Sequence, residues 1–286
     1  MVLGRDGRNG TAVSSATGAA ATDPATDLSI AAAYSATATS WRDGPAVVYG
    51  RLAEVLVACS PVTLHGAAVI DIGAGTGAAS FAALRAGARS VLAVDSAAGM
   101  LAVDAGRRPP SMVADATCLP LGPATFDVAL AAFCFNHLRD PAAGFVEAAR
   151  IVRSGGAVVA SAYASDDHHP VKAAVERALR DRGWLPEAWQ NEMYRDRAPL
   201  LATAEACAVV IERTGLTATI TKVRVDFPDL DPGQLVAWRL GMAQHARFVG
   251  ALSAAALEKV VRDVLDELGS HVPPLVRSIM IIVARC

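Results

Sequence analysis

The sequence contains no hydrophobic run long enough to cross a lipid bilayer. A spanning helix needs about 20 consecutive apolar residues, and no apolar run approaches that length although 53% of the 286 residues are hydrophobic. The N-terminus also lacks the charged region followed by an apolar core that marks a secretory signal. We therefore predict a chain that is neither exported nor anchored in a membrane, and that resides in the cytoplasm.

Clustered positive charge is also missing. Lysine occurs three times among 26 basic residues, which are interspersed with 28 acidic residues for a net charge of −2. No basic run is longer than Arg107-Arg108. Because nucleic-acid-binding proteins usually concentrate basic side chains on one face, we predict no nucleic-acid partner.

Cysteines are few and follow no metal-binding spacing. The five cysteines are Cys59, Cys118, Cys134, Cys207 and Cys286. They include no C-x-x-C pair, and an odd count argues against a disulfide framework. This usage favours a reducing compartment, in agreement with the predicted cytoplasmic location.

What the sequence does contain is a glycine-rich bend directly after a β-branched run. Residues 69–77 read Val-Ile-Asp-Ile-Gly-Ala-Gly-Thr-Gly, a pattern typical of a buried strand that turns tightly into a helix. Glycine permits positive φ there and lets the backbone approach a ligand closely. We expect that a Cβ at Gly73 or Gly75 would occupy volume that a bound cofactor needs.

Two kinds of cofactor are compatible with this bend. The residues satisfy the dinucleotide fingerprint, because Gly73, Gly75 and Ala78 fit G-x-G-x-x-G/A and Asp95 lies 20 residues beyond Gly75. Asp71 favours the other reading, since a carboxylate ahead of the glycines would repel a pyrophosphate seated on the helix N-terminus. It would suit the sulfonium and ammonium groups of S-adenosylmethionine. A nicotinamide-dependent reductase stays the weaker alternative.

Two further predicted strands end in acids. The run at 90–94 precedes Asp95, whose two oxygens are able to accept hydrogen bonds from both ribose hydroxyls. The run at 112–114 precedes Asp115, which we expect to accept the adenine amino group. Met100 falls on the helix between these strands.

Taken together, these segments resemble the class I S-adenosylmethionine-dependent methyltransferases, in particular the branch typified by ubiquinone and menaquinone biosynthesis enzymes. The resemblance runs from Val69 to about Ala164. Within that span it also rests on the segments 119–120, 126–128, 147–150 and 155–156. It implies that the cofactor is held by Asp71, Gly73, Ala74, Gly75, Gly77, Asp95, Ser96, Met100, Asp115, Ala116 and Phe133.

The predicted fold is α/β, a doubly wound, mostly parallel seven-stranded sheet of the Rossmann-like methyltransferase type, because strands alternate with helical segments. Strands are predicted at 67–72, 91–95, 111–114, 126–133, 157–162, 217–225 and 277–285, the last antiparallel by the resemblance. Helices are predicted at 46–58, 78–86, 97–107 and 141–153. We divide the chain into a flexible tail (1–27), an N-terminal helical lid (28–60), a cofactor-binding core (61–165) and the remaining sheet (166–286), with helical substrate-cap insertions at about 166–214 and 232–269.

Acceptor contacts are expected from the lid, the loop after the fourth strand and the insertions. The candidates are Tyr34, Trp41, Asn136, Trp184, Trp189, Trp238 and His245. For Tyr34 and Trp41, simple packing against a helix is an equally good reading.

His137 is the candidate general base, because some relatives that methylate hydroxyl groups carry a histidine pair at this loop. An ordinary imidazole pKa near ~6.5 suits proton acceptance; the alternative is that His137 caps the next helix or bonds a loop carbonyl. His168 and His169 are weaker candidates. We predict no metal at 166–169, because Asn136 stands where a metal-binding branch needs an acid, so helix capping or a solvated loop is preferred.

The function that this pattern predicts is methyl transfer from S-adenosylmethionine, by direct in-line displacement, to a small, partly apolar metabolite of secondary or quinone-type metabolism. S-adenosylhomocysteine would be the second product. A non-methylating reaction on the same fold, such as a cyclisation, is the alternative. The sequence leaves open the acceptor, the atom that is methylated and the oligomeric state.

Overall fold

A computed structural model describes residues 24–286, which form one seven-stranded sheet in the order β3-β2-β1-β4-β5-β7-β6. The strands are β1 (Ala68–Ile72), β2 (Ser90–Asp95), β3 (Ser111–Val113), β4 (Phe126–Ala132), β5 (Val152–Tyr163), β6 (Thr217–Phe227) and β7 (Leu275–Arg285). The first five are parallel, and β7 lies antiparallel between β5 and β6. The predicted fold class is confirmed.

Helices cover both faces of this sheet. They are α1 (Pro24–Ala36), α2 (Ala38–Asp43), α3 (Ala46–Ala58), α4 (Ala78–Arg85), α5 (Ala98–Ala102), α6 (Pro141–Ile151), α7 (Pro170–Arg180), α8 (Ala188–Glu192), α9 (Ala204–Glu212), α10 (Pro232–Leu240), α11 (Ala243–Gly250) and α12 (Ala254–Leu268). The prediction of a helix over 97–107 was too long. The helix ends early because Val103 is extended with ψ 128° and Asp104 adopts φ 51°.

The central strands are mostly apolar because both of their faces are covered. All five residues of β1 are buried, and their side chains alternate between two cores. Val69 belongs to the core beneath α3 and α4, whereas Ile70 belongs to the core beneath α6 and α9. The carboxyl ends of β1 to β5 consequently meet at one edge of the sheet, where ligands of open α/β sheets bind.

The N-terminal helices lie over that edge. The predicted flexible tail, 1–27, falls outside the described residues except for its last four positions, which belong to α1 because that helix begins at Pro24. Helix α3 has the predicted bounds, 46–58. It packs against α4, β4 and β5, while α1 packs against α5.

The two predicted insertions are helical. Helices α7, α8, α10, α11 and α12 pack together in a layer that we call the helical cap, whereas α9 lies on the other face of the sheet beside α6. Helices α7, α8 and α9 come from the first insertion, and α10, α11 and α12 from the second. Helix α7 packs against both α10 and α12, and α1 contacts α8 and α11. None of the helices between residues 24 and 286 combines the length and the apolar character needed to cross a membrane.

Candidate active site at the carboxyl edge of the sheet

The glycine bend has the backbone conformation that the sequence predicts. Gly73, Gly75 and Gly77 have φ of 72°, 52° and 99°, values that side-chain-bearing residues rarely adopt. A Cβ at Gly75 would point into open space, as expected beside a ligand crevice. The expectation was wrong for Gly73, whose Cβ would lie 2.5 Å from Cβ and Sγ of Cys134. Gly73 is therefore required by protein packing.

Asp71 is completely buried on β1, just ahead of the bend. Its Oδ2 accepts a 2.6 Å hydrogen bond from the Ser80 hydroxyl, and its Oδ1 has no hydrogen-bond partner among the described residues. Burial raises the pKa of Asp71 to about 6, with a further contribution from the nearby negative charge of Asp95. An unpartnered buried carboxylate oxygen is costly, and a positively charged ligand nearby would compensate it.

Asp95 closes the bend from the end of β2. Its Oδ2 accepts from the amide of Gly75 at 2.7 Å and its Oδ1 from the amide of Ala97 at 2.7 Å. Burial raises the pKa of Asp95, and these two amides oppose that rise. Each carboxylate oxygen keeps a second lone pair, so ribose hydroxyls would bind a carboxylate that the backbone already holds in place.

Asp115, after β3, is exposed and also anchored locally. Its Oδ1 accepts from both the amide and the hydroxyl of Thr117 at 2.8 Å, which leaves Oδ2 for a ligand. The thiol of Cys134 is close to all three acids. Its pKa is raised mainly by burial and further by the negative charges of Asp95, Asp71 and Asp115. The three predicted strand-end acids therefore share one site.

Sequence reasoning missed Arg108, which ties the bend to α5. Its Nη1 donates to the carbonyl of Met100 at 2.8 Å and its Nη2 to the carbonyl of Gly75 at 3.1 Å. Burial lowers the pKa of Arg108, while Asp71 and Asp95 oppose that shift. No periodic signal marks an arginine in an irregular loop, so only the folded geometry identifies it.

The other predicted cofactor residues occupy different environments. Ser96 is exposed beside Asp95, and Ala116 is half-buried beside Asp115. Ala74 is buried and its amide donates to the carbonyl of Val94 at 2.9 Å. Met100 is only 2% exposed and packs in the protein core, so its contact with a ligand stays a prediction.

Five aromatic residues from four elements and a loop meet next to this bend. This aromatic cluster comprises Tyr34, Trp41, Tyr49, Phe133 and Tyr163. Phe133 stacks on Tyr163 with centroids 4.4 Å apart, and Trp41 lies 4.7 Å from Tyr49. Tyr34 contacts Trp41 at 5.5 Å. Tyr34 and Trp41 pack against neighbouring rings here, and their predicted role at the mouth of the site stays a prediction.

Phe133 marks the cluster as unusual, because it adopts φ 53° immediately after β4. This conformation costs roughly 1–3 kcal/mol for a residue with a side chain and tends to occur at functional sites. The amide of Phe133 donates to the carbonyl of Ser161 at 3.1 Å. The strain turns the chain so that Cys134 meets the glycine bend while the Phe133 ring joins the cluster.

His137 lies beside the cluster in the 3₁₀ turn Phe135–His137, with its ring 5.5 Å from Tyr34. The expectation of an ordinary imidazole pKa was wrong: burial, with the positive charge of Arg197, lowers the pKa of His137 to about 4. His137 does not cap α6, since Asp140 accepts from the Ala142 amide in that role. Neighbouring Asn136 is buried, and its side-chain oxygen has no partner among the described residues.

We expect the imidazole of His137 to stay neutral at pH values where an exposed histidine titrates. In an NMR titration from about pH 8 to about pH 5.5, its ring resonances should not shift, because burial disfavours the charged form. His137→Gln identifies the resonance by its disappearance. A midpoint near 6.5 would contradict the burial argument and restore His137 as an effective base.

The loop after β5 holds no metal cluster; the described residues contain no group of three histidine, cysteine or acidic side chains placed to bind one. His169 is the N-cap of α7 and accepts from the Val171 amide at 3.3 Å, and its Nε2 lies 3.0 Å from the carbonyl of Pro273. The predicted capping role is therefore present for His169. His168 is exposed.

The aromatic residues predicted from the insertions lie mostly within the helical cap. Trp184 donates to the backbone carbonyl of Gln244 at 3.2 Å and contacts the His245 ring at 4.8 Å. Trp189 donates to Glu187 at 3.0 Å. Trp238 instead faces the guanidinium of Arg277, 4.8 Å from its ring centroid, and so connects the cap with the aromatic cluster.

Helix α1 closes the crevice through close contact with α5. The Ser35 hydroxyl accepts from the Gly99 amide at 3.2 Å, and a Cβ added at Gly99 would collide with the backbone of Ser35. Tyr34 stands on the same helix and lies close enough to Asp95 for that carboxylate to raise its tyrosine pKa, after burial. Helix α1 thus lies near Asp95 and contributes Tyr34 to the aromatic cluster.

Gly99→Ala should displace α1 from the crevice. Overpacking typically costs about 1–3 kcal/mol, and we expect it to appear as faster proteolytic cleavage within 24–43 with little change in the melting temperature of the core. Gly106→Ala is the matched control, because a Cβ there meets nothing within 4 Å. Equal cleavage rates in the two variants would show that α1 is not seated through this contact.

The fold and the site together define a Rossmann-like α/β protein with a ligand crevice at the carboxyl edge of its sheet. Residues 70–160 match the family model described as "Methyltransferase domain". This match agrees with the resemblance drawn from the sequence.

Two demethylmenaquinone methyltransferases are similar in sequence to part of this chain. A demethylmenaquinone methyltransferase from Mycolicibacterium gilvum is 40% identical over 91 residues, 32% of this chain and 40% of that protein. The corresponding Mycobacterium tuberculosis protein is 37% identical over 91 residues, 32% of this chain and 38% of that protein. The chain thus spans about two fifths of the length of these relatives.

Solved structures show the same fold over more of the chain. A putative methyltransferase from an antibiotic biosynthesis pathway of Anabaena variabilis superposes with a TM-score of 0.57 at 18% identity, covering 82% of this chain and 97% of that one. A phosphoethanolamine N-methyltransferase 2 from Haemonchus contortus, solved with phosphomonomethylethanolamine and S-adenosylhomocysteine, has a TM-score of 0.51 at 19% identity and covers 82% and 52%. These likenesses show the fold.

Proposed function

We propose that this protein transfers a methyl group from S-adenosylmethionine to a small, partly apolar acceptor in the cytoplasm. The observation that carries the proposal is the unpartnered buried oxygen of Asp71 behind a glycine bend that is open at Gly75. The demethylmenaquinone methyltransferases among the relatives support an acceptor of secondary or quinone-type metabolism. The free state of all five cysteines agrees with a reducing compartment.

In this proposal each residue around the bend binds a different part of the cofactor. Asp71 stabilises its positive charge through space, and Asp95 accepts from the ribose hydroxyls with its remaining lone pairs. Oδ2 of Asp115 accepts from the adenine amino group. The Gly75 backbone allows close approach, and Arg108 keeps the bend and α5 in register by its two carbonyl contacts.

The aromatic cluster orients the acceptor and keeps water out. When bound, S-adenosylmethionine supplies a methyl group that its positive sulfur has already activated for in-line attack by a nucleophilic atom. The chain therefore contributes mainly alignment, which for well-oriented groups is worth effective molarities of about 10⁵ M or more. His137, neutral at physiological pH, accepts a hydrogen bond from the acceptor and positions it, since a pKa of about 4 makes it a weak base.

The nicotinamide-dependent reductase is not favoured. The dinucleotide fold has its sheet in the order 3-2-1-4-5-6, whereas here an antiparallel β7 is inserted between β5 and β6. Asp71 would also face the phosphates without compensation. Calorimetric titration separates the two readings: we expect saturable binding of S-adenosylhomocysteine and none of NADPH, and the reverse result would overturn the proposal.

Product analysis separates methyl transfer from a cyclisation on the same fold. The protein is incubated with methyl-labelled S-adenosylmethionine and a metabolite extract. Methyl transfer predicts that S-adenosylhomocysteine accumulates in proportion to a product carrying the label. A product formed without consumption of the labelled cofactor would support the cyclisation instead.

A further inference from the structure

A buried group of two cations and one acid lies directly behind the aromatic cluster. Arg277, on β7, donates from Nε and Nη2 to the two oxygens of Asp167 at 2.9 and 2.7 Å. Lys172, on α7, donates to the same carboxylate at 2.5 Å. The Arg277 guanidinium stacks on the Tyr163 ring at 4.1 Å, and the Lys172 ammonium lies 5.9 Å from the same ring.

The charges in this group do not cancel. The single negative charge of Asp167 faces the two positive charges of Arg277 and Lys172 and can compensate only one of them. The adjacent Arg239 does not change this balance, because it pairs with Glu176, which also accepts from Arg180. Burial, and then the positive charge of Arg277, lower the pKa of Lys172 to about 8. A net positive charge thus stands at one side of the aromatic cluster.

Hydrogen-bond donors are also left over. The contacts with Asp167 leave Nη1 of Arg277 unused, and Nε1 of Trp238 is buried with no partner among the described residues. Arg277 is 2% exposed and Trp238 1% exposed, and Nε1 of Trp238 is closed to water. Because a buried donor without a partner is unfavourable, an oxygen acceptor supplied by a ligand would complete the group.

The group adjoins the aromatic cluster, which in turn adjoins the glycine bend. Tyr163, against which Arg277 stacks, is itself stacked on Phe133, and Cys134 next in the chain touches the glycine bend. An acceptor whose ring lies among these aromatic residues would have one end near the bend and the other near Arg277. An amine acceptor fits poorly, since a cation already covers the Tyr163 face.

We propose that Arg277 and Lys172 bind a carboxylate of the acceptor, and that the acceptor is an apolar, ring-bearing carboxylic acid. This inference rests on the proposed methyl transfer and names its substrate class. A single excess positive charge matches a carboxylate, which carries one negative charge, better than a phosphate dianion. The aromatic cluster takes the apolar ring, and the carboxylate fixes the direction in which it enters.

A pair of probes that differ in charge and little in shape tests the proposal. We titrate 2-naphthoate and 2-naphthamide, by calorimetry, into protein saturated with S-adenosylhomocysteine, whose own binding is measured first. The acid should bind at least about tenfold more tightly than the amide. Lys172→Met should lower the affinity for the acid about tenfold and leave that for the amide unchanged.

Lys172→Met should fold, because Asp167 keeps both of its contacts with Arg277. Lys222→Met is the matched control, since Lys222 pairs with the exposed Asp166 at the surface. Equal affinities for acid and amide, no saturable binding of the acid, equal losses for both probes in Lys172→Met, or tighter binding of 2-naphthyl phosphate would each overturn the carboxylate assignment. Failure of S-adenosylhomocysteine to bind would instead refute the proposed methyl transfer.

Discussion

Gly75→Val should fold and should bind S-adenosylhomocysteine at least about 100-fold more weakly than the parent chain, a loss of about 3 kcal/mol. The side chain would project from the bend into the space where the proposed cofactor lies, since nothing in the protein comes within 4 Å of a Cβ at this position. The φ of 52° adds strain of roughly 1–2 kcal/mol. Calorimetric titration measures the binding, and thermal unfolding measures the strain.

A second glycine separates these two effects. Gly215, between α9 and β6, has φ 71° and equally open space around a Cβ. Gly215→Val should therefore lose a similar amount of stability and retain full affinity. If Gly75→Val binds as tightly as Gly215→Val, the cofactor does not approach the bend and the proposed site is wrong.

Asp71→Asn should have opposite effects on stability and on binding. At pH 7.5 Asp71 is ionised and buried, and a pKa of about 6 against the ordinary 3.8 corresponds to about 3 kcal/mol of destabilisation. The neutral amide removes most of this penalty, so the melting temperature should stay level or rise. Affinity for S-adenosylmethionine should fall about 10- to 100-fold, because the compensating negative charge is gone.

The pH dependence provides a second readout of Asp71. Between about pH 4 and pH 6, Asp71 is protonated in the folded chain and ionised in the unfolded chain. The free energy of unfolding that this group contributes therefore falls as pH rises through that window. Affinity for the cationic cofactor should move the other way, rising up to about tenfold per unit until pH 6 and then levelling. Asp71→Asn should flatten both trends.

The control for Asp71 is the same change at the opposite end of the sheet. Asp127, at the start of β4, accepts from the Ala68 amide and from Arg153. Asp127→Asn should leave cofactor affinity unchanged. A cofactor affinity that is insensitive to Asp71→Asn, or that falls equally in Asp127→Asn, would contradict the electrostatic role of Asp71.

The sequence by itself determined the elements that follow from local rules. The alternation of apolar runs and helical segments gave the seven strands to within a few residues at most ends, because burial on both faces of a parallel sheet demands such runs. It also gave the glycine bend at 73–77 and the acids near the ends of three strands, because positive φ selects glycine and strand ends converge on one edge. The helix at 46–58 was likewise predictable from its periodicity.

Contacts between distant parts of the chain came from the tertiary structure alone. Arg277 and Asp167 are 110 residues apart in the sequence. Tyr34 on α1 and Tyr163 at the end of β5 belong to one aromatic cluster. The role of Gly73 depends on Cys134, which the sequence does not place beside it. Arg108 reaches the bend from an irregular loop.

The protonation states of the site residues also depend on the tertiary structure. The sequence predicts a histidine with an ordinary pKa at position 137, whereas burial lowers it to about 4. It predicts a carboxylate at Asp71, and enclosure by the core raises its pKa to about 6. Local pattern specifies which residues reach the edge of the sheet, but the cost of charging them depends on how much water the rest of the chain removes.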